Sequence, residues 1–244
     1  RYILITRGLL ALLNRQEIEA VVAHEMGHVK RLHLPFYMVL FLGFFAMALS
    51  YHDLYLDLIS YWFHRSGPLT RGLLENDPAT VTFFSFVYAA PMLSLIIIYF
   101  RYVFGFFMRN SERQADLYAL RIIGHPDTLI SSLEKIAFAG GNIRDLPSWH
   151  HYSIGERVDF LRHAFRNPRL DRKHDRKLYG AAALFLGVVV LLTWMGPRLE
   201  QTAAARQWRQ EFWITTLEAA LEKNPCLLYT SDAADDLLCV DLGG

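Results

Sequence analysis

Residues 24–28 read His-Glu-Met-Gly-His. On a helix, imidazoles at i and i+4 leave from one face, so His24 and His28 can both reach a single zinc ion. Glu25 then stands beside the water that such an ion binds, whose pKa zinc brings down toward neutrality. A carboxylate in that place can take the proton as the water attacks a carbonyl, which is the chemistry of peptide-bond hydrolysis. A catalytic zinc needs a third protein ligand and an open fourth position. The two cysteines, Cys226 and Cys239, lie at the far end of the chain, which leaves no thiolate site elsewhere. The third ligand is therefore sought among His, Asp and Glu. Glu112 and Asp116, four apart in a helix-forming run, qualify. Glu112 could close a His/His/Glu set, and Asp116 could accept the second N–H of a ligating histidine. The alternative leaves Glu112 and Arg113 on a solvated, charged face.

Two helices must position these groups. Residues 16–32 carry apolar side chains at Ile18, Val21, Val22, Met26 and Val29, the spacing of an amphipathic helix. Asn14 is placed to cap it, with Glu17 three residues on to complete a capping box. The second helix follows an apolar block and carries Glu112 and Asp116. Residues 120–140 read as helix broken at Gly124-His125-Pro126, and 140–148 as a loop bordering a cleft. Residues 2–6 form a β-prone run before the first helix. The histidines at 33, 64, 125, 163 and 174 read as surface or interfacial (His33, His64, His125, His163 and His174).

Composition decides what surrounds the helices. Hydrophobic residues make up 53% of the 244 and charged residues 20%, with mean hydropathy +0.18. Such a chain is not intrinsically disordered. A net charge of +1 gives no global field for nucleic acid, and there is neither an internal repeat nor a phosphate-binding glycine loop. The apolar excess is concentrated in three blocks, 34–50, 80–100 and 178–195, each near the length that crosses a bilayer. Pro91 inside the second block is compatible with a spanning helix. Cations crowd the connection from Arg109 to Lys177 and stand at Lys30 and Arg31, whereas Asp53, Asp57, Glu75 and Asp77 offset Arg65 and Arg71 in the first connection. The positive-inside rule then sets residues 1–31 and 109–177 on the cytoplasmic face, and 51–79 with everything after 195 on the other.

The expected fold is mainly α-helical and integral to the membrane: a multi-helix transmembrane bundle with a zincin-like helix pair and a small β element near the N-terminus. Residues 1–177 form the expected catalytic domain, including two spans, and 178–195 the third span. Residues 196–225, with Trp208, Phe212, Trp213, Leu217 and Leu221, read as an amphipathic helical segment. It lies on the membrane surface or opens a further helical domain. Residues 226–244 lack helical periodicity and read as a non-native tail. The chain opens at Arg1 without an initiator Met and is expected to be a fragment lacking an N-terminal part.

The sequence HEMGH, followed after two apolar blocks by Ser111-Glu112-Arg113-Gln114-Ala115-Asp116, resembles the integral-membrane zinc metalloproteases of the HtpX and CAAX-prenyl-protease type. The lead-in YILITRGLLALL and the segment His151-Tyr152-Ser153-Ile154-Gly155-Glu156-Arg157 are similar to that family as well, and the likeness runs from about residue 1 to residue 163. The resemblance implies one zinc per chain held by His24, His28 and Glu112, with Glu25 as general base and Asp116 behind the ligands. It implies that His151 and Arg157 stabilise the oxyanion. Tyr152 stands where the family has Pro, and His150 adjoins His151, so either imidazole could serve. It further implies a strand edge at residues 1–7 along which an extended peptide is held. The expected activity is hydrolysis of peptide bonds at the cytoplasmic face of a bacterial inner membrane. Its substrates are expected to be misfolded membrane proteins or a lipidated C-terminal motif. Two competing readings are an intramembrane-cleaving zinc protease and a zinc-binding membrane scaffold without catalysis. Against the first, Lys30 and Arg31 follow the motif at once, and charges at mid-bilayer are costly.

Overall fold

A computed structural model describes residues 5–64, 77–146 and 148–223. The strand expected over residues 2–6 falls partly outside them, as do Arg65, Arg71, Glu75 and the tail 226–244. Among the described residues there is no strand, and Arg7–Leu12 is a short helix, α1. The expectation of a β element near the N-terminus is corrected accordingly. Arg-Gly-Leu-Leu-Ala-Leu is rich in helix formers. Thr6 also caps the turn, its Oγ1 accepting from Leu9 N at 3.3 Å. A β-prone run becomes a strand only where another strand pairs with it.

The remaining α-helices are α2 (Arg15–Lys30), α3 (His33–Ser50), α4 (His52–His64), α5 (Pro78–Ile98), α6 (Gly105–Ile123), α7 (Asp127–Ala139), α8 (Ile154–Arg166), α9 (Arg169–Glu200) and α10 (Ala203–Lys223). A π-helical stretch, Tyr99–Phe104, joins α5 to α6 without a break. Helices with windows long and apolar enough to cross a membrane number three among the described residues: His33–Ser50, the run Pro78–Ile123, and Arg169–Glu200. They contain the three apolar blocks of the sequence. The described residues gather into two compact units, one from Arg1–Ala46 with Leu95–Val190, the other from Met47–Ser94 with Leu191–Gly244.

In the first unit α2 packs along α6 and α7. The capping box forms: Asn14 Oδ1 accepts from Glu17 N at 2.9 Å, and Glu17 Oε2 accepts from Asn14 N at 2.8 Å. Glu17 is buried and does more than cap, since it also accepts from Ser131 Oγ at 2.6 Å and Lys135 Nζ at 2.8 Å. One carboxylate thus ties the start of α2 to α7. Beside it Ala20, Ala23, Ala119, Leu129, Leu133, Val158 and Leu161 form an apolar core that clamps α2, α6, α7 and α8 together. Alanines on α2 and α6 let the two backbones approach closely. At Gly27 an added Cβ would stand 2.9 Å from the Cα of Ala115. Helix α6 ends as expected at Gly124, which takes φ 86°, a left-handed terminus suited to glycine. A second apolar cluster of Leu40, Phe107 and Leu178, flanked by Phe36, Phe104 and Phe185, joins α3, α6 and α9.

In the second unit α10 lies against α4. Arg209 Nη2 is 2.6 Å from Asp57 Oδ2, and Tyr88 OH is 3.0 Å from His52 Nε2.

Candidate metal centre

Helices α2 and α6 bring together the three residues read as ligands. His24 Nε2 and His28 Nε2 lie 3.2 Å apart, one helical turn separating their residues. From α6, Glu112 Oε2 lies 3.6 Å from His24 Nε2, and Glu112 Oε1 lies 3.4 Å from His28 Nε2. These three residues form a group whose ligand atoms could hold one metal ion. Bonds of about 2.0–2.2 Å to a tetrahedral ion put ligand atoms roughly 3–4 Å apart, and each of the three contacts between these residues falls in that range. Two nitrogens and one carboxylate oxygen are also a donor set that zinc accepts. His24 and Glu112 are buried, His28 is half-buried, and Glu25 is exposed on the same helix.

Each ligand is held from behind. His24 Nδ1 faces Asp116 Oδ1 at 2.9 Å. Asp116 is fully buried and receives two hydrogen bonds from Arg157, Nε to Oδ2 at 2.9 Å and Nη2 to Oδ1 at 2.6 Å. The remaining Arg157 nitrogen, Nη1, lies 3.5 Å from Glu112 Oε2. Burial disfavours the Arg157 cation, and Asp116 more than restores it, so the pKa moves up. Helix α8 aims this arginine through its own capping box. Ser153 Oγ accepts from Glu156 N at 3.2 Å, and Glu156 Oε2 accepts from Ser153 N at 2.9 Å. The Ser153-x-x-Glu156 signature was readable in the sequence. His151, just before the cap, places Nδ1 3.5 Å from Glu112 Oε1 with its side chain 42% exposed, so it borders the ligands on an open side. His150 lies tilted against His151 with ring centroids 4.2 Å apart, while its own Nδ1 pairs with Ser148 Oγ at 2.8 Å.

Two histidines read from the sequence as surface or interfacial are buried. His174 is turned to the Asn110 carbonyl, its Nε2 2.9 Å away. His33 backs the second ligand: its Nδ1 lies 2.9 Å from His28 Nδ1, and its Nε2 lies 2.8 Å from Gln114 Oε1. Gln114 Nε2 donates to Asp175 Oδ1 at 2.6 Å, and Asp175 pairs with Arg31 at 3.0 Å. A polar chain therefore runs from His28 to the start of α9. The signal for it was the spacing His24, His28, His33, obscured because His33 opens an apolar block. His125 and His163 are exposed, as read.

The electrostatics split the two imidazoles. Burial would push His24 down, but hydrogen bonds to Asp116 and Glu112 outweigh it and raise the group to about 9. Burial pushes His28 down to about 4, with His24 and His33 adding to the shift against the pull of Glu112. His28 thus presents a free nitrogen lone pair at neutral pH, whereas His24 must shed a proton to ligate.

A family model described as peptidase family M48 matches residues 1–202. The chain belongs to peptidase family M48. Members of this family depend on a metal, zinc, and the His24–His28–Glu112 group is where such an ion fits. Among curated relatives, the "Protease HtpX homolog" of Desulforapulum autotrophicum is 29% identical over 132 residues, 54% of this chain and 39% of that protein. The "Protease HtpX homolog" of Aeropyrum pernix is 32% identical over 138 residues, 55% of this chain and 39% of the relative. A third of the same name, from Listeria monocytogenes, is 28% identical over 144 residues, 54% and 43% of the two chains. The aligned part amounts to about two fifths of each relative's length. No solved structure matches.

Proposed function

We propose that this M48 chain is a membrane-embedded zinc metalloendopeptidase, one zinc per chain, with His24, His28 and Glu112 as ligands. The observation that carries the reading is that one ligand atom from each of the three residues lies within 4.8 Å of the other two. Zinc held there supplies a Lewis acid that polarises a carbonyl and makes water more acidic. Glu25, exposed beside the ligands, takes the proton of the attacking water and returns it to the departing amine. His151 donates to the carbonyl oxygen as it gains negative charge, from the open side of the site. Arg157 supports that charge through Nη1 and holds Asp116, which in turn fixes the tautomer and direction of His24.

The three apolar helices support placement in a membrane, and the cations between Arg109 and Lys177 support a cytoplasmic site, in a bacterial inner membrane. The substrate is a peptide or protein met at that surface. The curated relatives are named proteases, which favours a protein; misfolded membrane proteins and a lipidated C-terminal motif are the two classes proposed.

Replacing Glu25 by Gln tests the reading. The variant is expected to bind one zinc as tightly as the unaltered chain and to lose peptide hydrolysis by a factor of about 10² or more. Hydrolysis that persists removes Glu25 from the mechanism. Zinc bound by both chains with hydrolysis by neither identifies a scaffold.

A further inference from the structure

The first half of α9 sorts its charges by face. Asp171, His174, Asp175 and Leu178, at helical spacings of three and four, point into the first unit. Asp171 pairs with Arg121, His174 with the Asn110 carbonyl, and Asp175 with Arg31. Both acidic residues of the segment are thereby spent inward. The outward side is cationic: Arg169, Arg172, Lys173 and Arg176 are all exposed, and none is in an ion pair among the described residues. A helix that only needed solubility would mix charge signs on its wet face, since i,i+4 pairs of opposite charge stabilise and like pairs do not. Four like charges left uncompensated on one face are costly unless a polyanion meets them.

What lies next along the helix identifies that anion. Leu178 opens the apolar block of α9, so the cations occupy the two turns directly before a span. Beside those turns is a cleft of 270 Å³ lined by Arg31, Phe36, Val39, Leu178, Tyr179 and Ala182. Tyr179, 52% exposed, follows Arg172 and Arg176 at spacings of seven and three and so shares their side of the helix. Arg172 and Arg176 precede Tyr179, which lines the cleft, so along α9 a cationic stretch gives way to an apolar cleft, in the order of the two ends of an anionic phospholipid. A soluble phosphate would use the cationic stretch alone.

We propose that this face of α9 and the cleft that follows it along the helix bind an anionic phospholipid of the surrounding bilayer, headgroup on Arg169, Arg172, Lys173 and Arg176 and acyl chain against Phe36, Val39 and Ala182. The proposal rests on the membrane reading above and is independent of the metal and of catalysis. His33 and Gln114 also line the cleft, so the lipid would touch the polar chain that holds His28.

The test uses the full chain in nanodiscs of an equimolar mixture of phosphatidylcholine and phosphatidylglycerol, with the lipids retained after extraction into detergent counted by mass spectrometry. Phosphatidylglycerol is expected to be enriched about tenfold over phosphatidylcholine. The fourfold variant Arg169→Gln, Arg172→Gln, Lys173→Gln, Arg176→Gln should lose that enrichment while still binding zinc, which reports an intact fold. Ala182→Trp, which fills the cleft, should lower retention with the cationic stretch intact. Equal retention of both lipids by the unaltered chain overturns the proposal, as does enrichment that survives the fourfold change. Binding of poly-uridylate in pure phosphatidylcholine discs, lost in the fourfold variant, would also overturn it and assign the face to nucleic acid. Failure of the membrane reading looks different: the chain would not float with pure phosphatidylcholine vesicles after an alkaline wash.

Discussion

At the level of single residues, the centre is a set of buried polar groups in which each member fixes the next. Asp116 has no exposure, and its oxygens are shared between His24 and the Arg157 fork. Losing one member leaves its neighbour's charge or dipole unanswered in a dry site. The same logic applies to His33, which must either accept from His28 Nδ1–H or donate to it. His33→Ala is expected to weaken zinc binding by about 10–100-fold in a chelator competition. His33→Asn, which keeps a polar group near His28, should recover part of the loss. Equal affinity in all three chains would show that His33 only fills space. A pH prediction follows from His24. Its folded pKa of about 9 lies above the ordinary 6.5, so the metal-free fold gains stability that is complete below pH 6.5 and lost as pH rises through 9. A ligating His24 carries no proton. Denaturant unfolding with a chelator present should therefore show falling stability over that window, and zinc should remove this part of the slope. A chelated chain whose stability rises over the same window would contradict the assignment. That His24 and His28 share a side was legible in the sequence because a helix dictates where i and i+4 point. His33 was not, because Leu32, at φ 56°, breaks the helical register between it and His28.

At the level of elements, the site depends on how closely α2 and α6 approach, and small residues set that distance. Gly27 sits inside the motif and faces Ala115, between Glu112 and Asp116 on the opposing helix. A substitution Gly27→Ala makes two effects compete. Helix propensity favours the alanine by about 0.5–1 kcal/mol. Against it, the new methyl meets a backbone Cα at 2.9 Å and a side-chain Cβ at 3.2 Å, neither of which can swing aside. Overpacking of this kind costs about 1–3 kcal/mol, so the balance falls on destabilisation. Because the strain separates the helices carrying His28 and Glu112, zinc affinity should fall along with the melting temperature. A Gly27→Ala chain that melts higher and holds zinc unchanged would mean that the spacing is not set here. The helices themselves were legible through capping signatures and apolar periodicity: Asn14 with Glu17, and the break at Gly124. The closeness of the pair was not, since it is a property of two faces meeting and a single sequence shows each face separately. The expected strand edge over residues 1–7 marks the opposite case, since Arg7, at the end of that range, opens α1.

At the level of the whole molecule, the charges between the apolar blocks carry a topological claim that the distances in the site do not. Thirty residues before the first block and the long connection after the second must share a compartment for His24, His28 and Glu112 to meet, and an even number of crossings between them satisfies this. Two apolar helices, His33–Ser50 and the block within Pro78–Ile123, separate the two ligand-bearing helices. The count and the charge bias thus agree, although they are independent properties of the sequence. The bias further predicts which compartment it is, and that can be checked in intact cells. With Cys226 and Cys239 replaced by Ser, Asp53→Cys and Leu146→Cys supply single thiols at exposed positions in the first and second connections. A membrane-impermeant maleimide added outside spheroplasts is expected to label residue 53, and to label residue 146 only after the membrane is opened. The reverse pattern would keep the metal centre intact and move it to the outer face, where unfolded cytoplasmic segments could not reach it. Labelling of both from outside would break the link between apolar helices and crossings, and with it the reason for placing the peptidase in the bilayer.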